Sequence, residues 1–152
     1  MPDKIVKITG ELQTGGTPEF MNLNYSNQIY SRIRANMSAL GYSEVTDTTK
    51  ADFFILPAAL EVTNVSYSYW GDYYGWYYGY GYYYPYPVVT SYTTGTVMIN
   101  LVERNTSSPT NKNMVPWIAL INGLLEGTST DYLTRINTTV DQAFKQSDYL
   151  HQ

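Results

Sequence analysis

The chain contains no cysteine, which removes disulfides, thiolate nucleophiles, iron–sulfur clusters and Cys-ligated zinc together. Its single histidine, His151, lies one residue from the C-terminus, where chains usually fray. Ser–His catalysis and His-based metal sites therefore have no dependable base or ligand. Charge is also scarce: Asp, Glu, Lys and Arg make up 14% of the 152 residues, and the net charge is −4. The nine Lys and Arg are scattered, whereas a nucleic-acid binder concentrates basic charge on one face, so that partner is disfavoured. Long apolar runs are missing too. The longest, 53–60 and 114–121, are too short to span a bilayer, and the opening MPDKIVKITG has no apolar core of signal-peptide length. There is no phosphate-cradling glycine loop followed by a helix and no EF-hand run.

What the chain has instead is an extreme concentration of aromatics. Residues 67–86 read YSYWGDYYGWYYGYGYYYPY, in which eleven of twenty positions are Tyr and two are Trp, spaced by Gly71, Gly75, Gly79 and Gly81. Tyr and Trp combine a large apolar face with one polar tip, which suits stacking on rings, wet protein interfaces and the membrane headgroup zone.

The remainder has the length and patterning of one domain, 1–152, with the aromatic stretch 67–87 inserted between two strands. Ile29, Ile33, Met37 and Leu40 recur at helical spacing after Asn24 or Ser26 as cap, and Gly41 stands where a helix stop belongs, predicting a helix over 26–40. Leu133, Ile136, Val140 and Phe144 predict a second amphipathic helix over 131–146, capped by Thr128, Ser129 or Thr130. Between them the period falls to two. Leu56, Ala58, Leu60 and Val62 share one strand face, with a bulge expected near Thr63 or Asn64, and Pro57 argues for an edge strand or a local break. Residues 88–92 and 96–103 read as strand, 105–113 as a hairpin loop, 114–125 as the returning strand, and 4–9 as a short additional one. Strands not alternately followed by helices predict a mostly antiparallel sheet. The expected fold is an α+β two-layer sandwich with both helices on one face and a Tyr/Gly/Trp-rich hairpin insert. Ile33, Met37, Leu56, Leu60, Val97, Ile99, Ile136 and Val140 form its expected core.

The order of pieces resembles a known family. Leu40-Gly41-Tyr42 closing a helix, Ala51-Asp52-Phe53-Phe54 opening a strand, the aromatic insert, GTVMINLVE at 95–103, a strand bearing Trp117 and a last helix with VDQAF at 140–144 are similar to domain of unknown function 4136. The resemblance covers about 24–149, and it departs from the family's frequent Asp at Asn100 and its Arg and Gly at Ile118 and Ala119. It implies a small exported lipoprotein of a Gram-negative envelope, outer-membrane anchored and facing periplasm or surface, with its signal peptide and lipidated cysteine upstream of this chain. It implies no activity.

An enzyme is not expected, and neither is a cofactor or a metal. The residual catalytic reading is a glycosidase-like carboxylate hydrolase, with Asp72 in the aromatic segment or Asp52 and Glu61 on the strand as candidate acids. These acids are also where turns and solvent faces place them, with Glu61 on the odd, solvent side of its strand. Asp47-Thr48-Thr49 and Asn64-Val65-Ser66 are formal glycosylation tripeptides of a kind that arises often by chance.

Three readings of the aromatic segment stand side by side. Its rings pack on one another and on the sheet; or they form a tip for a protein partner or membrane interface; or they stack on envelope glycans such as peptidoglycan or a polysaccharide. The expectation adopted is a non-enzymatic interaction module, with a carbohydrate-binding module as the alternative. The interaction residues would be Tyr69, Trp70, Asp72, Tyr73, Tyr74, Trp76, Tyr77, Tyr78, Tyr80 and Tyr82. Its partners would be an envelope protein or glycan and, through the lipid anchor, the membrane.

Overall fold

A computed structural model describes residues 4–8, 19–61, 95–104, 115–124 and 131–150 of the chain. Among them, the sequence FFILPAAL contains only apolar residues, and it forms β3 (Phe53–Leu60) at the centre of a five-stranded sheet. The other strands are β1 (Val6–Ile8), β2 (Glu19–Phe20), β4 (Thr96–Glu103) and β5 (Trp117–Ile121), and the sheet order is β2-β1-β3-β4-β5. Three of its four pairings are antiparallel, and β1 runs parallel to β3. The fold is α+β, as expected. The two-residue β2 carries no pattern long enough to read from sequence.

The helix α1 (Leu23–Ala39) starts three residues earlier than expected, because Asn22 is its cap and accepts from the Asn24 amide at 2.9 Å. Ser26 is inside the helix and fully buried. Its stop follows expectation. Gly41 has φ +95°, its amide donates to the Ser38 carbonyl and the Tyr42 amide donates to the Met37 carbonyl, the two bonds of a Schellman motif. The helix α2 (Tyr132–Lys145) is one residue shorter at each end than expected. Thr128, Ser129 and Thr130 lie outside the described residues, and Asp131 precedes the helix without a side-chain cap bond.

Both helices cover one face of the sheet. Ile29, Tyr30 and Ile33 of α1 and Ile136, Val140 and Phe144 of α2 are buried against Ile55 and Ala59 of β3, Val97, Ile99 and Leu101 of β4, and Trp117, Ala119 and Ile121 of β5. The helices run side by side in the same direction: Tyr25 meets Tyr132 with ring centroids 5.1 Å apart, Gln28 donates to Asn137, and Arg32 reaches Asp141. Of the expected core, Met37 is only partly buried, and Leu133 of the expected stripe is 51% exposed. Leu133 belongs to the first turn of α2, ahead of the buried stripe that starts at Ile136.

Two expectations for β3 are corrected. Its odd residues do not face solvent: Ile55, Pro57 and Ala59 are buried on the helix side, while the even Leu56, Ala58 and Leu60 are buried on the opposite side. Glu61 itself is exposed just past the strand, ion-paired with Lys7 at 2.6 Å. Pro57 sits in an inner strand, opposite Ile99. The Leu60 carbonyl accepts from Gly95 on the β4 side and the Glu61 amide donates to Ile8 on the β1 side, so by alternation the Pro57 nitrogen faces β1. Because β1 pairs with β3 only from Ala58 onward, no ladder bond is lost there.

The helix pair is fastened by a polar cluster. Arg32 grips Asp141 with both its Nε and its terminal nitrogen, and Asn36 donates to the same carboxylate at 2.8 Å. Burial works against charge on Asp141, but the bonds from Arg32 and Asn36 outweigh it and hold the carboxyl below its ordinary value of 3.8. A depressed folded-state value means that this stabilisation is present at neutral pH and disappears as pH falls below about 4. Asp141→Asn should therefore cost about 1 kcal/mol at pH 7, after allowance for solvent screening, with the gap to wild type closing in acid. Urea titrations at pH 7 and pH 3 check this; a gap that stays constant contradicts it.

Leu60 is fully buried at the end of β3. Leu60→Ala should cost about 2–5 kcal/mol through the lost apolar contacts and the cavity left behind. A melting temperature equal to wild type would contradict the register of Leu60 opposite Thr96.

Candidate functional site

Every residue expected to interact, Tyr69, Trp70, Asp72, Tyr73, Tyr74, Trp76, Tyr77, Tyr78, Tyr80 and Tyr82, lies outside the described residues, as do the expected bulge at Thr63 or Asn64, the strand 88–92 and the loop 105–113. What is described is the frame that holds the aromatic segment. It departs after Glu61 and returns at Gly95, whose amide donates to the Leu60 carbonyl at 3.0 Å. Gly95 has φ +83°, a left-handed conformation that glycine takes without strain. Thr96 is fully buried and its hydroxyl donates to the Asn122 side chain at 3.0 Å, tying the return point to the turn after β5.

This end of the molecule gathers other aromatic and apolar groups. The register places Ile121 of β5 opposite Val97, and β2, opposite β1, leads directly into α1. The starts of both helices therefore lie at the level where the segment leaves and returns. They present Leu23 at 53% and Leu133 at 51% exposure, beside the Tyr25–Tyr132 pair. The Arg135 guanidinium lies 5.2 Å from the Tyr132 ring centroid, a cation–π contact.

Of the candidate acids, Asp52 and Glu61 are held apart. Asp52 and Glu61 flank β3 at its opposite ends, nine residues apart, which is roughly 30 Å at ~3.3 Å per residue. Carboxylates acting together on a glycosidic bond sit within about 10 Å of each other. Asp72 and His151 lie outside the described residues. Among the described residues, no group of three His, Cys, Asp or Glu could hold a metal ion, and no helix is long and apolar enough to cross a membrane. Asp47 has a structural task. Its carboxylate accepts from the Thr49 hydroxyl and amide, which holds it below its ordinary value and caps a short 3-10 turn over Thr48–Lys50. Arg104 donates to the Thr49 carbonyl.

Sequence reasoning missed the link between the sheet and the far end of α2. The Trp117 indole donates to the Ser147 hydroxyl at 2.8 Å, that hydroxyl donates on to the Ala143 carbonyl, and the Trp117 ring packs tilted against Phe144 with centroids 4.8 Å apart. A lone Trp in a strand, with a Ser just past a helix, is the only sequence signal available for it. At the same end Tyr42 donates to the Leu150 carbonyl at 3.2 Å and packs edge-on to Phe53.

The fold and the whole-chain pattern have known counterparts. The model of a family described as domain of unknown function (DUF4136) matches residues 15–147. The chain belongs to the DUF4136 family. A crystal structure of a DUF4136 family protein from Bacteroides thetaiotaomicron VPI-5482 superposes with a TM-score of 0.68 at 27% identity, covering 98% of this chain and 85% of that one. Comparison with curated proteins gives no match. Within this DUF4136 chain, Trp117 and the strand GTVMINLVE, which carried the resemblance, are core elements of the sheet, and Leu40-Gly41-Tyr42 is the Schellman stop of α1.

Proposed function

We propose that this DUF4136 protein is a non-enzymatic, lipid-anchored module of the bacterial envelope that engages a protein partner through its aromatic segment. The observation that carries the reading is the density of eleven Tyr and two Trp in twenty residues, returned to the sheet at a fixed point by the Gly95–Leu60 bond. Rigid aromatics on a fixed frame lose little conformational freedom on binding, and Trp and Tyr dominate the energetics of interfaces. The exposed Leu23 and Leu133 at the same end extend the apolar surface around the segment's base. The separation of Asp52 from Glu61 and the scarcity of histidine weigh against catalysis.

Trp70→Ala and Trp76→Ala should each weaken retention of the protein on isolated envelope fractions by about tenfold or more, whereas any single Tyr→Phe should have little effect. Retention is to be compared at a temperature where circular dichroism shows all variants folded. Equal retention of the Trp variants and wild type would contradict the proposal. Binding confined to peptidoglycan or polysaccharide on a glycan array would transfer it to carbohydrate recognition.

A further inference from the structure

The two edges of the sheet are built differently. At one edge β2 is two residues long and carries the exposed Glu19, and a short, charged edge strand resists pairing with another chain. At the other edge β5 is five residues long, and no residue from 115 to 124 is charged. Among the described residues, nothing pairs with β5 on the side away from β4. The direction of its backbone groups follows from the register. The Arg104 amide donates to the Asp52 carbonyl at 2.7 Å, so by alternation the amides of Val97, Ile99 and Leu101 face β5, where they meet Ile121, Ala119 and Trp117. The amides and carbonyls of Ile118 and Leu120 therefore point outward, away from the sheet. The Ile118 side chain is 41% exposed, whereas Trp117, Ala119 and Ile121 are buried in the core beneath the helices.

We propose that β5 is a self-pairing edge, through which two copies of this chain join their five-stranded sheets into one continuous sheet. Self-complementarity selects a second copy as the occupant. A twofold axis through Ala119 sets Ile118 opposite Leu120 of the second copy and Trp117 opposite its Ile121, so every residue of the strand is paired. In that register each outward amide of Ile118 and Leu120 donates to the outward carbonyl across from it, which satisfies all the edge groups of both copies. On the face away from the helices, Ile118 and Leu120 of the two copies cover one another. On the helix face Ala119 meets its own copy, and a methyl side chain suits the close approach of a non-hydrogen-bonded pair, about 4.5 Å between Cα atoms. The strand brings no charge to the junction, so like charges do not meet there although each copy carries a net −4. Pro116, which has no amide to donate, ends the pairing edge just before β5. The axis stands normal to the sheet, so both helix layers stay on one face and the two Leu60–Gly95 bonds fall at opposite ends of the joined sheet. A dimer of this form carries two aromatic segments from widely separated roots, the arrangement that gives avidity on an extended envelope surface.

Sedimentation equilibrium of the full chain reads the mass, and residue-resolved hydrogen exchange reads the surface. The expected result is a concentration-dependent species of twice 17.3 kDa. In it the Ile118 and Leu120 amides exchange at least about tenfold more slowly than in the dilute monomer, while those of Trp117, Ala119 and Ile121 are protected in both. Ile118→Lys should abolish the dimer, because the two introduced ammonium groups fall about 7–8 Å apart on an apolar face, whereas Ile118→Val should retain it. Circular dichroism checks that both variants fold, as substitution of an exposed side chain allows; should Ile118→Lys not fold, the exchange of the wild-type chain decides alone. A wild-type chain that stays monomeric up to about 1 mM would overturn the proposal. So would a dimer that persists in Ile118→Lys, or one in which the Ile118 and Leu120 amides exchange as fast as in the monomer. Protection of those two amides in a monomer at every dilution would assign the edge to the chain itself and overturn it too. Mass and exchange are read without any envelope ligand, so the outcome is independent of what the aromatic segment binds.

Discussion

The pairing of β3 with β4 is the constraint on which the rest of the molecule depends. Eight consecutive residue pairs, from Phe53 opposite Glu103 to Leu60 opposite Thr96, join two strands separated in sequence by 35 residues. Every other strand is positioned by this pair: β1 docks in parallel on Ala58–Leu60, β5 docks on Val97–Leu101, and the short β2 is held by β1 alone. Closing so long a connection costs entropy only logarithmically in its length, whereas the pair sets two apolar strands between two buried faces. A one-residue slip would exchange those faces along the whole strand, so the register is strongly specified.

On one face the helices convert the pair into a two-layer core. Because α1 and α2 run in the same direction, their polar cluster of Arg32, Asn36 and Asp141 can form midway while Tyr25 and Tyr132 meet at one end and Trp117, Phe144 and Ser147 lock the other. A second ion pair, Arg34 with Glu44, secures the chain just after the helix stop, and the hydrogen bond from Arg34 keeps Glu44 charged to lower pH than usual. These polar contacts are half-buried or exposed, so their role is to fix how the helices sit, while burial of Ile29, Ile33, Ile136 and Val140 supplies most of the stabilisation.

The legible part of this structure was periodic. Ile29, Ile33, Ile136 and Val140 at helical spacing named the buried sides of both helices, Gly41 named the stop of the first, and Val97, Ile99 and Leu101 named one face of β4. Where every residue was apolar, periodicity carried no information: in Phe53–Leu60 the even positions were assigned to the core and Glu61 placed an expected solvent side opposite them, yet both faces are buried. Strands covered on both sides read as continuous apolar runs. Asn22 went unrecognised because Asn24 and Ser26 offered equally good caps, and Leu133 misled because an apolar residue in a first turn fits a stripe while staying half exposed. The Arg32–Asp141 and Trp117–Ser147 contacts join residues 109 and 30 apart, and no single sequence contains a signal for such pairings. The aromatic segment was legible as a concentration of chemistry, and its base at Leu60 and Gly95 follows from the strands on either side.

The central claim is that β3 and β4 form one rigid unit across the connection that contains the aromatic segment. Native-state hydrogen exchange of the intact protein in increasing urea tests it most directly, read at the Gly95 amide, which bonds the Leu60 carbonyl, and at the Leu56 and Ala58 amides, which by alternation face β4. The account predicts that these amides exchange only through global unfolding, with the same urea dependence as the Ile33 amide at the centre of α1. Exchange of Gly95, Leu56 and Ala58 through a separate local opening, while Ile33 stays protected, would contradict it.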